Sequence, residues 1–254
     1  MNPSHMSQRV AVYSCNFQVR SYEVDQSGQI TLPSIANYFQ EAAGQHATQL
    51  GIDIGDLKVL GLTWVVFKLQ IHVDRFPSRW EDLTVKTWTS IQGSLRAYRD
   101  YQLLDQDEKV VATGLSHWMM LDGKTRRPVK IPDAFHELPL KDDLRAMVPH
   151  KGKVSLASPA KPELVARAGA NDTDLNGHVN NVSYIHWVTN QNMQTGGEVL
   201  KCNNLTIQYM AEAVAGDEIF LSEESQERKK IISLYKNGTE QPLASAETEW
   251  SHLS

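Results

Sequence analysis

Asp174, Asn176 and His178 stand at alternate positions in the stretch NDTDLNGHVNNVSYIHW, residues 171–187, with Gly177 between the last two. A carboxylate, a carboxamide and an imidazole in one turn can take a proton from water, orient that water and polarise a carbonyl. That is hydrolysis with no cofactor and no metal. Asp, Asn and Gly also suit the turn itself, because they bond free backbone N–H groups or tolerate positive φ. Directly afterwards Val179, Val182, Ile185 and Val188 recur every three residues and predict a helix. Its N-terminus would offer unpaired N–H groups and a positive dipole end, making the backbone of Gly177 and His178 the oxyanion hole. The plainer reading of the same residues is an N-capped polar turn.

Hydrophobic period supplies the elements that must position this turn. Residues 9–24 read as a strand, 25–28 as a turn, and Ile35, Phe39, Ala42, Ala43, His46 and Leu50 as one face of a helix that Gly51 ends. Strand-like runs follow at 62–73, 82–90, 96–104 and 110–121. One long helix against an antiparallel meander is an α+β layer. Six of the ten prolines fall within 126–162, which therefore reads as a linker with a short helix around 133–138. Beyond it the order repeats: a strand at 164–170, the turn and helix, then strands near 203–213, 218–224, 229–236 and 242–250.

The repetition is visible residue by residue. Asp25 superposes on Asp174, Gly28 on Gly177, Ile30 on Val179, Ser34 on Ser183 and Tyr38 on Trp187; farther along, Ile71 falls on Ile207 and Glu81 on Asp217. This is an internal duplication. In the first copy Ser27 replaces Asn176, Gln29 replaces His178 and Phe76 replaces Glu212. The second copy is thus expected to carry the reaction, leaving the first free to hold something apolar.

Composition excludes several classes. With 25 Lys and Arg against 30 Asp and Glu the net charge is -5, which argues against a general nucleic-acid binder. Cys15 and Cys202 lie far apart in no paired framework, which predicts free thiols in a reducing, cytoplasmic setting. Neither has zinc-type company, so no metal site is expected. No apolar run is long enough to span a bilayer, so no membrane insertion is expected. The stretch before Arg9 lacks an apolar signal core, and Met1 to Met6 reads partly as a cloning remnant.

The runs DTDLNGHVNNVSYIHWV and LTIQYMAEAVAGDEI, with LTWVVFKLQIHVDRFPSRWEDLTVKTW and SHWMMLDGKTRRPVKIP in the first half, resemble the acyl-ACP thioesterases, the FAT group of double hot-dog proteins. The resemblance spans about residues 10 to 250, in the same order. It implies a tandem hot-dog of two antiparallel sheets, each wrapped around a long helix: residues 8–125 binding the acyl chain, a proline-rich linker at 126–162, and a catalytic module at 163–254. It implies catalytic roles for Asp174, Asn176, His178 and Glu212, and hydrolysis of fatty acyl groups carried by acyl carrier protein. Plant members commonly carry a cysteine after that glutamate; Ala213 stands here, so a cysteine mechanism is untenable. The short first strand of the second half and the lack of a plastid extension point to a bacterial-type member.

On this reading Ile35, Phe39, Ala42, Ala43, His46, Trp64, Val66, Leu69 and Phe76 wall the acyl pocket. Arg126, Arg127, Lys130, Lys151 and Lys153 form a docking patch for the acidic carrier. Two fused hot dogs already mimic the usual dimer, so monomer and homodimer both stay open. The rival readings are an acyl-CoA or aryl-CoA thioesterase, a hot-dog dehydratase and a non-catalytic acyl-binding module.

Overall fold

Apolar residues at i, i+3, i+4 and i+7 bury one face of the long helix α1 (Leu32–Leu50), and its ends follow from the sequence. Thr31 caps it by accepting from the Ser34 N–H, Pro33 sits in the first turn, and Gly51 closes it at φ 75 in the left-handed conformation. The computed structural model describes residues 9–158, 162–190, 193–195 and 198–252; Met1 to Met6 and Pro159 lie outside the described residues. The first half comprises β1 (Val12–Gln18), α1, the short α2 (Ile54–Val59), β2 (Leu62–Val73), β3 (Asp82–Gln92), β4 (Arg96–Leu104) and β5 (Val110–Asp122). The second comprises β6 (Glu163–Arg167), α3 (Asn181–Thr189), β7 (Met193–Thr195), β8 (Glu198–Tyr209), β9 (Glu218–Gln226), β10 (Lys229–Lys236) and β11 (Pro242–His252).

The strands lie in the order β1-β3-β4-β5-β2-β8-β11-β10-β9-β6, with β7 paired to the start of β8. The first five positions and the last five, read inwards, are the same arrangement used twice. The expected pair of sheets is, however, one continuous antiparallel sheet. The join is the pairing of β2 with β8, from Lys68↔Gln208 to His72↔Asn204. It forms because each of these strands would otherwise present an unpaired row of N–H and C=O groups. The core is shared as well: Ile35, Phe39, Ile71 and Leu103 belong to one buried cluster with Val182, Ile185, Val188, Ile207 and Ile232.

Side chains alternate across β2, so Leu69 and Ile71 pack with the core under α1 while Lys68 and Gln70 face the other way. On that other face lies the proline-rich segment, which is a strap rather than a free linker. Lacking a ladder of its own, it spends its backbone groups on side chains of both halves. Ala146 N–H donates to Asp100 (2.8 Å), His150 N–H to Gln70 (2.7 Å), Val154 N–H to Gln208 (3.3 Å), Ser155 N–H to Glu247 (2.9 Å) and Ala157 N–H to Ser233 Oγ (3.0 Å). Its expected short helix is a 3-10 turn, Asp133–Glu137. Two other expectations shift. The first strand is confined to β1, because the chain turns after Gln18, and α2 has too short an apolar pattern to announce itself.

Burial in this arrangement keeps two histidines neutral. Desolvation, then Arg99, holds His46 down to about 4 against its usual 6.5, and desolvation, then Lys68 and Arg96, does the same to His117. Asp100, buried beneath the strap, is pushed up to about 6 and works in the opposite sense. An unfolded chain takes up both histidine protons below pH 6.5 while the folded chain resists until about 4, against one extra proton on folded Asp100. Stability is therefore expected to be full above pH 6.5 and to fall towards pH 4, with a shallower decline in His46→Gln, as read by Tm against pH.

Candidate active site

The turn that opens the second module is closed by its own acid. Asp174 N–H donates to the His178 carbonyl (2.8 Å), Gly177 N–H to the Asp174 carbonyl (3.0 Å), and Asp174 Oδ1 accepts from Asn176 N–H at 2.8 Å and His178 N–H at 3.3 Å. The remaining oxygen, Oδ2, meets the Asn176 amide at 3.4 Å. Gly177 takes φ 77, which only glycine adopts without strain, and so lets the chain reverse. Leu175, between the two polar residues, is 96 % exposed at the tip.

This geometry corrects the expected oxyanion hole. The N–H groups of Gly177 and His178 are both committed to Asp174. The helix also starts later than the valine period suggested. Val179 N–H bonds the Ala213 carbonyl, Asn180 caps by accepting from Val182 N–H, and α3 begins at Asn181. Val179 thus serves as a bridge between the turn and the segment carrying Glu212, not as a helical residue.

That bridge brings Glu212 to the turn. Its Oε2 is 3.3 Å from Nε2 of His178. Its Oε1 accepts from the guanidinium of Arg126, which arrives from the turn after β5 in the first half. Sequence reasoning missed this role for Arg126, since no local pattern reports a partner contributed across the two halves. Both side chains of the pair are about two-fifths exposed, at 40% and 43%.

The first copy keeps the fold of the turn and loses its chemistry. Asp25 N–H donates to the Gln29 carbonyl (3.0 Å), Gly28 N–H to the Asp25 carbonyl (2.9 Å), and Gly28 sits at φ 76. Here a cation from the other half, Lys201 of β8, lies 2.8 Å from Asp25 and donates to Gln29 Oε1 at 3.1 Å, with its ammonium over the Phe76 ring. Burial opposes ionisation of Asp25, but hydrogen bonds from Lys201 and Ser27 outweigh it and hold the carboxyl below its usual range.

Comparison with known proteins agrees with this architecture. Residues 10–138 match the acyl-ACP thioesterase N-terminal domain and residues 162–252 the acyl-ACP thioesterase C-terminal domain. The chain belongs to the acyl-ACP thioesterase family. It is 30% identical over 259 residues to a chloroplastic acyl-[acyl-carrier-protein] hydrolase of Cuphea viscosissima, covering 92% of this chain and 61% of that protein. It is 32% identical over 194 residues to the oleoyl-acyl carrier protein thioesterase of Coriandrum sativum, covering 69% of this chain and 52% of that one. The chain thus spans between about half and two thirds of the length of these curated relatives. Among solved structures, an acyl-ACP thioesterase from Bacteroides thetaiotaomicron superposes with a TM-score of 0.82 at 25% identity, covering 95% of this chain and 98% of that one. The fold is also that of the 12:0-ACP thioesterase from Umbellularia californica, with a TM-score of 0.81 at 22% identity over 96% and 98% of the two chains. The chain shares this hot-dog-like fold, with a mostly antiparallel sheet and few helices.

In this acyl-ACP thioesterase fold the residues expected to wall an acyl pocket are packed on one another. Ile35, Phe39, Ala42 and Ala43 line the buried face of α1, and Phe76 closes the same cluster beneath Lys201. Leu69 packs against that cluster, Val66 is buried on the same strand, and Trp64 joins a second cluster with Leu50, Met120 and Phe135. His46 is a core histidine, with Nε2 3.0 Å from the Val10 carbonyl and Nδ1 accepting from Arg99 at 2.8 Å. The expected docking residues do not act as one free patch. Arg126 is engaged by Glu212 and Lys130 by Asp133 (2.7 Å), while Lys151 and Lys153 flank Gly152 on the strap, away from α1. Arg127 is left exposed beside them.

Phe39 stacks on Tyr101 with ring centroids 4.8 Å apart and lies over Gly114, where an added Cβ would sit 2.7 Å from Phe39 Cε2. Gly114→Ala is therefore expected to push α1 off the sheet and to lower stability by about 1–3 kcal/mol in denaturant titration.

Proposed function

We propose that this chain is a metal-independent hydrolase that cleaves the thioester of a fatty acyl group on acyl carrier protein, releasing free fatty acid and the carrier thiol. The observation that carries the reading is the meeting of His178 with Glu212 at 3.3 Å beside the Asp174 turn, in the module that retains all four groups. Family membership and the carrier-protein thioesterases among its relatives support the substrate class. The fold is read as two hot-dog modules fused through one sheet, with the hydrolytic residues in 163–254. The free thiols Cys15 and Cys202 suit a cytoplasmic setting.

The steps follow from which atoms are engaged. Asp174 Oδ2, which among the described residues meets the Asn176 amide at 3.4 Å, takes a proton from water as the water oxygen bonds to the thioester carbon. Asn176 orients that water. Negative charge gathers on the carbonyl oxygen, and with the turn's N–H groups committed the donor there is His178. Glu212 on Nε2 holds the ring and leaves Nδ1 for the carbonyl oxygen. Collapse re-forms the carbonyl, breaks the C–S bond and sends the proton from Asp174 to the departing thiolate.

The rival reading is an acyl-CoA or aryl-CoA thioesterase, so the carrier must be tested directly. The same acyl group presented on carrier protein and on coenzyme A, over chains from C8 to C18, should be released faster from the carrier protein; equal or faster release from coenzyme A overturns the assignment. Asp174→Ala and Glu212→Ala should each lower kcat by about 10²-fold or more with Tm little changed. Full activity in both would remove the site.

A further inference from the structure

Glu212 is held at its two oxygens by groups from opposite halves of the molecule. Oε2 faces Nε2 of His178 within its own module, and Oε1 takes the Arg126 guanidinium from the other. We propose that Arg126 is a positioning residue of the hydrolytic site: by fixing Oε1 it aims Oε2 at His178, so that the copy without an imidazole still completes the machinery. The inference rests on the reading of the site given above and extends it to a residue in the turn after β5, where the first module passes into the strap.

Three features support it. Arg126 is delivered by a tightly tied turn. Asp122 Oδ1 accepts from Lys124 N–H (3.0 Å), Thr125 N–H (2.7 Å) and the Thr125 hydroxyl (2.9 Å), Arg126 N–H donates to the Asp122 carbonyl (3.0 Å), and Gly123 N–H ties the whole to Gly61 (2.8 Å). Arg126 itself sits at φ 57, where glycine would cost less, so the side chain is kept in spite of the backbone.

Second, the pair is about two-fifths exposed, and exposed ion pairs contribute little to stability. Its consequence should therefore lie in the aim of a carboxylate that would otherwise turn freely on a loop. The planar guanidinium fork suits that task better than a flexible ammonium.

Third, the other copy uses its cross-half cation differently. Lys201 lies on Asp25, the turn's own acid, in a place where Phe76 has removed the second carboxylate. In the second copy the cation lands on Glu212 instead, and among the described residues Asp174 meets only neutral donors. The cation is in this way kept off the group that takes the proton.

The test combines kinetics with a reading of the imidazole itself, on the full chain. With acyl-ACP and with an acyl-pantetheine that lacks both carrier and phosphate, Arg126→Met should lower kcat by about 10–100-fold with KM little changed, and Arg126→Lys should restore part of it. In a Glu212→Gln background Arg126→Met should cost nothing further. By NMR at one fixed pH, the His178 ring resonances should shift in Arg126→Met, and Arg126→Met should shift them little further in the Glu212→Gln background, whether or not the chosen thioester is turned over. A rise in KM for acyl-ACP alone with kcat kept would make Arg126 a carrier-docking residue and overturn the proposal. An undiminished loss in the Glu212→Gln background, or His178 resonances unmoved by Arg126→Met, would overturn it too. Loss of activity in the unsubstituted protein on every thioester would instead strike the reading of the function, leaving the His178 resonances to judge Arg126.

Discussion

The antiparallel pairing of β2 with β8 decides where the chemistry can assemble. β5 and β8 both run opposite to β2, on its two sides, so they leave the sheet at the same end. The turn after β5 carries Arg126, and the segment after β8 carries Glu212. Had the halves formed separate sheets, no backbone relation would hold these two side chains to a common place. Pairing of the central strands satisfies their backbone groups and, as a by-product, lets Arg126 reach Glu212.

The duplication then reads as divergence in electrostatics more than in shape. Both turns keep an aspartate that closes on its own backbone, a glycine at positive φ and a cation supplied from across the molecule. What changed is the atom that the cation meets. Around Asp25 the charge is neutralised beneath Phe76, whereas around Asp174 it is diverted to the companion glutamate. Three replacements, Ser27 for Asn176, Gln29 for His178 and Phe76 for Glu212, set the two turns apart.

Much of this was legible before any coordinates. Period three after the turn and period two in the strands located nearly every long element, and superposing Asp25 on Asp174 exposed both the repeat and its asymmetry. The rest was hidden for identifiable reasons. Val179 continues a helical spacing yet bonds the Ala213 carbonyl, because a tertiary partner for its N–H outweighs periodicity. The segment at 126–162 looks unstructured by its prolines, but its donors are met by Gln70, Gln208 and Glu247, residues remote in sequence. Arg126 resembled one more surface cation, since charge alone does not tell a docking residue from one aimed at a carboxylate in the other half.

The single sheet also bears on how the molecule avoids sticking to itself. Two separate sheets would leave four outermost strands; among the described residues the main strand order ends at β1 and β6, with the three-residue β7 paired to the start of β8. Of these β6 is a mere five residues, with charged Glu163 and Arg167 at its limits and a slip in register between Leu164 and Ala166. Such blunted borders are poor templates for a foreign strand. Joining the copies edge to edge thus lowers the number of places at which aggregation could begin, a benefit independent of anything the site does.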